Sequence, residues 1–111
     1  MRGLVAVHAA GLSHGRPFLR GMTVDADDTL HFLDLEEDPT ARMSLEDAQA
    51  RDVWWLLSSC TEFCEEPFKD LNHLLDIYFL NVRVIFRSIC LRWAGRCAHI
   101  VGSYLCCALG M

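Results

Sequence analysis

Residues 44–80 read SLEDAQARDVWWLLSSCTEFCEEPFKDLNHLLDIYFL, two helical patterns separated by a proline. Ser44-Leu45-Glu46-Asp47 fits a capping box, in which the Ser44 hydroxyl accepts from the Asp47 amide while the Asp47 carboxylate reaches back. Apolar residues then recur at steps of three and four, the spacing of one helix face. We therefore predict a first main helix over about 44–66. Its apolar face consists of Val53, Leu56, Leu57, Cys60, Phe63 and Cys64.

A longer apolar pattern follows Pro67 and predicts a second main helix over about 68–94. Pro67 suits the end of the first helix or the first turn of the second. Gly95 is the natural end, because glycine adopts the left-handed conformation that closes helices. The apolar positions of this helix are Leu71, Leu74, Leu75, Tyr78, Val82, Ile85, Phe86, Ile89 and Trp93.

Residues 4–35 are expected to form short strands or extended segments. Leu4–Val7 suits a strand, and several glycines and Pro17 after it disfavour a helix. Asp25–Asp28 is a polar turn, after which Thr29–Leu35 is expected to form a second strand. Together with the two helices, this pattern predicts an α+β or mainly α fold.

Charge is segregated along the chain. All fifteen acidic residues lie between Asp25 and Asp76, and the net charge of the 111 residues is −5. Residues 1–24 form a basic extended arm, 25–76 an acidic middle, and 77–111 a basic, apolar, Cys-rich end. A chain of this length is expected to be one small domain, 1–111. The asymmetry indicates that the ends meet the middle, or a partner, by charge.

The cysteines offer one candidate metal site. Cys60 and Cys64 are four residues apart and would share a helix face, whereas Cys97 and His99 form a Cys-x-His pair. Together they make the Cys₃His set that zinc accepts in a tetrahedral site. The alternative is that Cys60 and Cys64 pack as small hydrophobic residues.

No catalytic motif is present: there is no phosphate-binding loop, dinucleotide-binding glycine pattern or nucleophile elbow. We therefore expect no enzyme.

We expect Trp54 to project away from the apolar face and to be available to a partner, unless it is buried in the core. Arg87 and Arg96 are candidate exposed cations that orient a partner, unless they pair with the acidic middle. Direct nucleic-acid binding is not expected of so acidic a chain.

Three short segments resemble the X protein of hepadnaviruses. Gly95–His99 resembles the family's Gly-Gly-Cys-x-His, whose Cys and His belong to its zinc motif, and Ser13–Phe18 is similar to an early Gly-Arg-Pro-Phe. Because the chain is shorter than the mammalian X proteins, the avian-type, X-like form is closer. The family's Phe-Lys-Asp…Leu…Leu-x-Val-x-Val segment is matched by Phe68, Lys69, Asp70, Leu74, Leu80, Val82 and Val84.

The resemblance implies a viral regulatory or accessory protein that modulates viral transcription and host pathways through protein–protein contacts. It implies host partners, such as ubiquitin-ligase components or transcription machinery, and a location in host cytoplasm and nucleus, with mitochondrial association as a further option. The chain departs from the family at Ala41–Leu57, which is acidic where the family has a basic ligase-docking helix. Two other classes stay open: a small membrane-associated protein that uses the Arg- and Cys-rich end, and a zinc-binding interaction module.

Overall fold

A computed structural model describes residues 1–33 and 37–81 of the chain. These residues contain three α-helices and one antiparallel β-hairpin, which confirms the predicted fold class. In chain order the elements are α1 (Arg2–Ala9), a 3₁₀ turn (Leu19–Gly21), β1 (Met22–Val24), β2 (Leu30–Phe32), a 3₁₀ turn (Pro39–Ala41), α2 (Leu45–Cys60), a 3₁₀ turn (Thr61–Phe63) and α3 (Pro67–Phe79).

Helix α2 begins at the predicted cap. The Ser44 hydroxyl oxygen accepts from the Asp47 amide at 3.1 Å. The Asp47 carboxylate also reaches back and accepts from the Ser44 hydroxyl, again at 3.1 Å. The cap therefore satisfies one of the amides that the first helical turn leaves without an intrahelical partner.

The end of α2 differs from the predicted boundary at residue 66. The α-helix ends at Cys60 and the chain tightens into the 3₁₀ turn Thr61–Phe63. As predicted, Val53, Leu56 and Leu57 are buried, whereas the Phe63 side chain is 71% exposed. The assignment of Phe63 to the buried face is wrong, because a 3₁₀ turn rotates side chains off the face that an α-helix would continue.

Helix α3 begins with Pro67 in its first turn and ends at Phe79, earlier than the predicted boundary at 94. Asn81 explains this end: its amide bonds the Tyr78 carbonyl, and its side-chain amide donates to the Ile77 carbonyl at 2.8 Å. The Ile77 carbonyl is the acceptor that a continuing α-helix would offer to the Asn81 amide. Residues 82–94 of the predicted helix lie outside the described residues.

The amino-terminal segment corrects a second expectation. Leu4–Val7, predicted to be a strand, lies within helix α1. Leu4 and His8 are both buried, and their spacing of four places them on one helix face. Packing of this face against α2 and α3 outweighs the weak strand preference of the local sequence.

The two strands lie within the predicted range 4–35. They pair Met22 with Phe32 and Val24 with Leu30, around the expected polar turn. Of the predicted strand Thr29–Leu35, residues 34 and 35 lie outside the described residues. The hairpin packs closely on α1, since a side chain at Gly3 would collide with the Leu30 side chain.

One apolar cluster joins the three helices. Trp54 and Leu57 of α2 pack with Leu4 of α1 and with Leu75 of α3. None of the helices within residues 1–33 and 37–81 combines the length and the apolar character that a membrane span requires. The buried members of the cluster are Leu4, Ala50, Val53, Trp54, Leu56, Leu57, Leu71, Leu75 and Tyr78.

Candidate functional site: the Asp52 network and the arginine clamp

Asp52 is a fully buried carboxylate on the inner side of α2, with 0% exposure. Its Oδ1 accepts from the Gly15 amide at 2.8 Å. Its Oδ2 accepts from the His14 amide at 2.7 Å and the Ser13 hydroxyl at 3.1 Å, and contacts His8 Nε2 at 3.0 Å. A buried carboxylate is costly unless it is paired and hydrogen-bonded, and these donors meet that requirement.

His8 extends the network to the third helix. Its Nδ1 lies 2.6 Å from the Tyr78 hydroxyl, and the two rings meet edge to face at 5.7 Å. In the neutral tautomer with the proton on Nε2, His8 donates to Asp52 and accepts from Tyr78. One imidazole thus ties α1 to both α2 and α3. We call the set His8, Ser13, the His14 and Gly15 amides, Asp52 and Tyr78 the Asp52 network.

The loop that supplies the two amides has a backbone that favours glycine. Gly15 has φ +94°, and a Cβ there would lie 2.8 Å from the Glu37 carbonyl oxygen. The side chain of Gln49 holds the start of the loop, because its amide donates to the carbonyls of His8 and Leu12. Residues 13–15 are therefore wrapped tightly around Asp52.

The outer side of the same loop carries a second cluster, which we call the arginine clamp: Arg16, Phe18, Glu37, Arg51 and Trp55. A guanidinium nitrogen of Arg16 and one of Arg51 each lie 3.6 Å from a carboxylate oxygen of Glu37. The Arg16 guanidinium lies 5.2 Å from the Phe18 ring centroid, and that of Arg51 5.9 Å from the Trp55 centroid. The two rings meet edge to face at 5.0 Å.

The clamp has the chemistry of anion recognition. Each guanidinium presents a planar fork of N–H donors that matches carboxylate and phosphate oxygens. The aromatic rings hold the guanidinium groups by cation–π contacts. Two arginines and one glutamate give the clamp a net charge of +1, although the whole chain carries −5.

A cavity of about 210 Å³ adjoins the clamp and shares Phe18 with it. Its wall includes the exposed Phe63 ring, and Ser59 fixes its base by accepting from the Leu19 amide at 3.2 Å. The clamp therefore continues into a partly apolar depression. The lining residues are Phe18, Leu19, Arg20, Ser58, Ser59, Glu62 and Phe63.

Cys60 is the last residue of α2 and Cys64 follows the 3₁₀ turn, so the two do not share the face of one α-helix as predicted; both are half-buried free thiols. The Cys64 thiol donates to the Cys60 carbonyl at 3.1 Å. Burial raises the pKa of the Cys60 thiol, with a further contribution from Cys64; burial and then Asp70 raise the pKa of the Cys64 thiol. Zinc binds thiolates, so it would have to overcome these raised pKa values.

The two thiols would supply two of the four ligands of the predicted zinc site, and Cys97 and His99 lie outside the described residues. Within residues 1–33 and 37–81 no group of three metal-ligating side chains is assembled. The zinc assignment therefore stays a prediction.

The predicted exposure of Trp54 is wrong, because its side chain is 1% exposed within the apolar cluster. Trp54 belongs to the apolar cluster formed with residues of α1 and α3, so a position outside the predicted face is also buried. The adjacent Trp55 is the half-buried tryptophan at the surface. Arg87 and Arg96, the other proposed partner-binding residues, lie outside the described residues.

Asp52, His8 and the arginine clamp were not predicted from the sequence. One signal was present: Asp52 is a carboxylate directly before the apolar run Val53–Leu57 of a predicted helix. An acid at such a position is either exposed or satisfied by distant donors. Its donors cannot be named from sequence, since they lie 37 to 44 residues away.

No protein-family model matches the chain, and no curated protein or solved structure shows significant similarity to it. The likeness of short segments to hepadnavirus X therefore stays a hypothesis. The Asp52 network and the arginine clamp supply the observations on which a function can be inferred.

Proposed function

We propose that this protein is a regulatory protein that acts by binding other proteins, as its resemblance to hepadnavirus X implies. In that role it would modulate viral transcription and host pathways through host partners. The observation that carries the proposal is the dual role of the segment Ser13–Phe18, which also carries part of the resemblance. Its backbone binds the buried Asp52, and its side chains Arg16 and Phe18 form the outer clamp.

Rigidity of the loop supports a binding role. A surface that is already ordered loses less conformational entropy when a partner binds, so more of its contact energy becomes affinity. Asp52 holds the loop from the inside, while the Arg16 side chain is 58% exposed on the outside. Aromatic residues and arginines are also the side chains that dominate protein interfaces.

Burial of the Asp52 network also supports a protein that acts by binding other proteins. Within the Asp52 network, the chemistry of His8, Asp52 and Tyr78 would suit proton transfer, and all three are buried. Their mutual hydrogen bonds hold the helices together. The groups that could bind a partner at the surface are the guanidinium groups of Arg16 and Arg51.

The test is a double variant, Arg16→Gln with Arg51→Gln, compared with the wild type in host cells. The control is Arg2→Gln, which removes an exposed arginine from α1. We expect the double variant to keep the wild-type circular-dichroism spectrum while losing most of the effect on a viral-promoter reporter. It should also lose the host proteins that the wild type enriches in affinity purification, whereas Arg2→Gln should retain both.

Two outcomes would contradict the proposal. In one, the folded double variant acts on the reporter and captures the same host proteins as the wild type. In the other, stably expressed wild-type protein has no reporter effect and enriches no host protein over the control.

A further inference from the structure

We propose that the arginine clamp is a binding site for a phosphate monoester group on a partner peptide, and that Glu37 is its internal competitor. The inference deepens the proposed function and rests on it, since it names the chemistry by which a partner is recognised. The group that binds would take the position between Arg16 and Arg51 that the Glu37 carboxylate now holds.

The long distances in the clamp are the first argument. Charge-assisted N–H···O bonds between arginine and an anion are normally about 2.7–2.9 Å long. Glu37 lies 3.6 Å from each guanidinium, and its side chain is 44% exposed. One carboxylate thus spans two cations without a close bond to either, which is an arrangement that a ligand can displace.

The fixed position of the two cations is the second argument. Arg51 projects from α2 and its side chain is only 24% exposed, with Trp55 beside it. Arg16 projects from the loop that Asp52 holds, with Phe18 beside it. Two guanidinium groups that are held apart in this way favour an anion with several oxygens in different directions.

The charge and shape of the ligand follow from these two arguments. A phosphate monoester carries close to two negative charges at neutral pH and presents three acceptor oxygens. Its three oxygens can bond both guanidinium groups at once, whereas the singly charged carboxylate of Glu37 lies 3.6 Å from each. Displacement of Glu37 raises the local charge from +1 to +2, which offsets the repulsion expected from a chain of charge −5.

The adjoining cavity favours a peptide over free phosphate as the ligand. Phe18 belongs both to the clamp and to the cavity wall, and Phe63 on the same wall is exposed. An apolar side chain next to the phosphorylated residue would cover these rings. We therefore expect a phosphopeptide to bind more tightly than inorganic phosphate at the same pair of arginines.

The test is a titration of the full chain followed by NMR, with the Trp55 indole and the Arg16 and Arg51 side-chain signals as reporters. The probes are inorganic phosphate and a short peptide with a phosphoserine followed by leucine, together with the same peptide carrying serine or glutamate. We expect saturable shifts at all three reporters with the phosphopeptide, weaker ones with phosphate, and none with the serine peptide. The glutamate peptide should bind at least about tenfold more weakly than the phosphopeptide.

Glu37→Gln provides the sharpest comparison. Removal of the competitor should tighten phosphopeptide binding by about tenfold, the effect of losing one opposing charge interaction at short range. Arg16→Gln and Arg51→Gln should each weaken it by about tenfold or more. Glu65→Gln, which neutralises an exposed acid outside the clamp, controls for the change in net charge and should alter affinity by less than about twofold.

The inference is overturned if no probe gives saturable shifts, if the glutamate and phosphoserine peptides bind equally, or if Glu37→Gln fails to tighten binding. Affinity purification from phosphatase-treated host lysate distinguishes failure of the phosphate-binding inference from failure of the proposed function. If treated lysate still yields the partners that the double arginine variant loses, contact through the clamp stands and recognition of phosphate is refuted. Loss of those partners after treatment supports both.

Discussion

Arg51 and Asp52 are neighbours in α2, but they face opposite sides of the loop that crosses the helix. Asp52 is fully buried, and all its contacts to the loop are 3.1 Å or shorter. Arg51 reaches the surface and meets Glu37 at 3.6 Å. Two adjacent charged residues of one helix therefore have different roles. Asp52, on the inner side, fixes the loop, and Arg51, on the outer side, is available for recognition.

The largest expected effect is at the inner charge. Asp52→Ala removes the acceptor of two backbone amides, a hydroxyl and an imidazole, and leaves those groups buried. Each buried donor left without an acceptor costs about 1–3 kcal/mol, so the total loss should be several kcal/mol, in a domain with about 5–15 kcal/mol in total. Urea unfolding should show this loss. A decrease below about 1 kcal/mol would mean that Asp52 does not hold the loop.

The neighbouring Trp54 and Trp55 give the next comparison. Trp54→Ala should cost about 3–5 kcal/mol, because it leaves a cavity in the apolar cluster. Trp55→Ala should cost clearly less, since Trp55 is half-buried and its neighbours are Phe18 and Arg51. Denaturant unfolding of both variants measures the two losses of stability. Equal losses would contradict the assignment of Trp54 to the core and of Trp55 to the surface.

Two glycines with positive φ allow the stability cost of backbone strain to be compared with the cost of a steric clash. Gly15→Ala should cost roughly 1–3 kcal/mol, because φ is +94° and the new Cβ would meet the Glu37 carbonyl oxygen. Gly11 also has positive φ, +76°, but a Cβ there would meet no atom within 4 Å. Thermal melts should therefore place Gly11→Ala between the wild type and Gly15→Ala; the reverse order would rule out the tight loop.

The smallest expected effect is at the outer charge. Arg51→Gln should change the free energy of unfolding by less than about 1 kcal/mol, because its ion pair is long, at 3.6 Å, and the partner Glu37 is 44% exposed, so the pair contributes little to stability. Arg16→Gln should behave in the same way. A loss comparable to that of Asp52→Ala, measured in the same urea experiment, would show that the clamp is a structural device and not a surface for recognition.

Helices α2 and α3 could be predicted from the sequence, whereas α1 could not. The three- and four-residue periodicity of α2 and the start of α3 is local, and so is the Ser44 cap. The end of α3 at Phe79 depends on one side chain, Asn81, that competes for a backbone carbonyl. Periodicity carries no information about such competition, so the predicted helix was too long at this end.

The site could not be predicted, because its parts are distant in sequence. Leu4–Val7 is helical because the helix places Leu4 in the core and His8 next to Asp52, which lies 44 residues later in the sequence. Trp54 is buried because it belongs to the apolar cluster with Leu4 of α1 and Leu75 of α3, contacts that the sequence pattern does not indicate. In each case tertiary packing decided between local alternatives that the sequence left close in energy.

The most direct test of the account is native-state hydrogen exchange at the amides of His14 and Gly15, read by NMR. Both amides donate to Asp52 in the core, although they belong to a segment without regular secondary structure. We predict that they exchange as slowly as the central amides of α2 and that Asp52→Ala removes this protection. Exchange at the rate of unprotected loop amides in the wild type would contradict the claim that Asp52 fixes the loop.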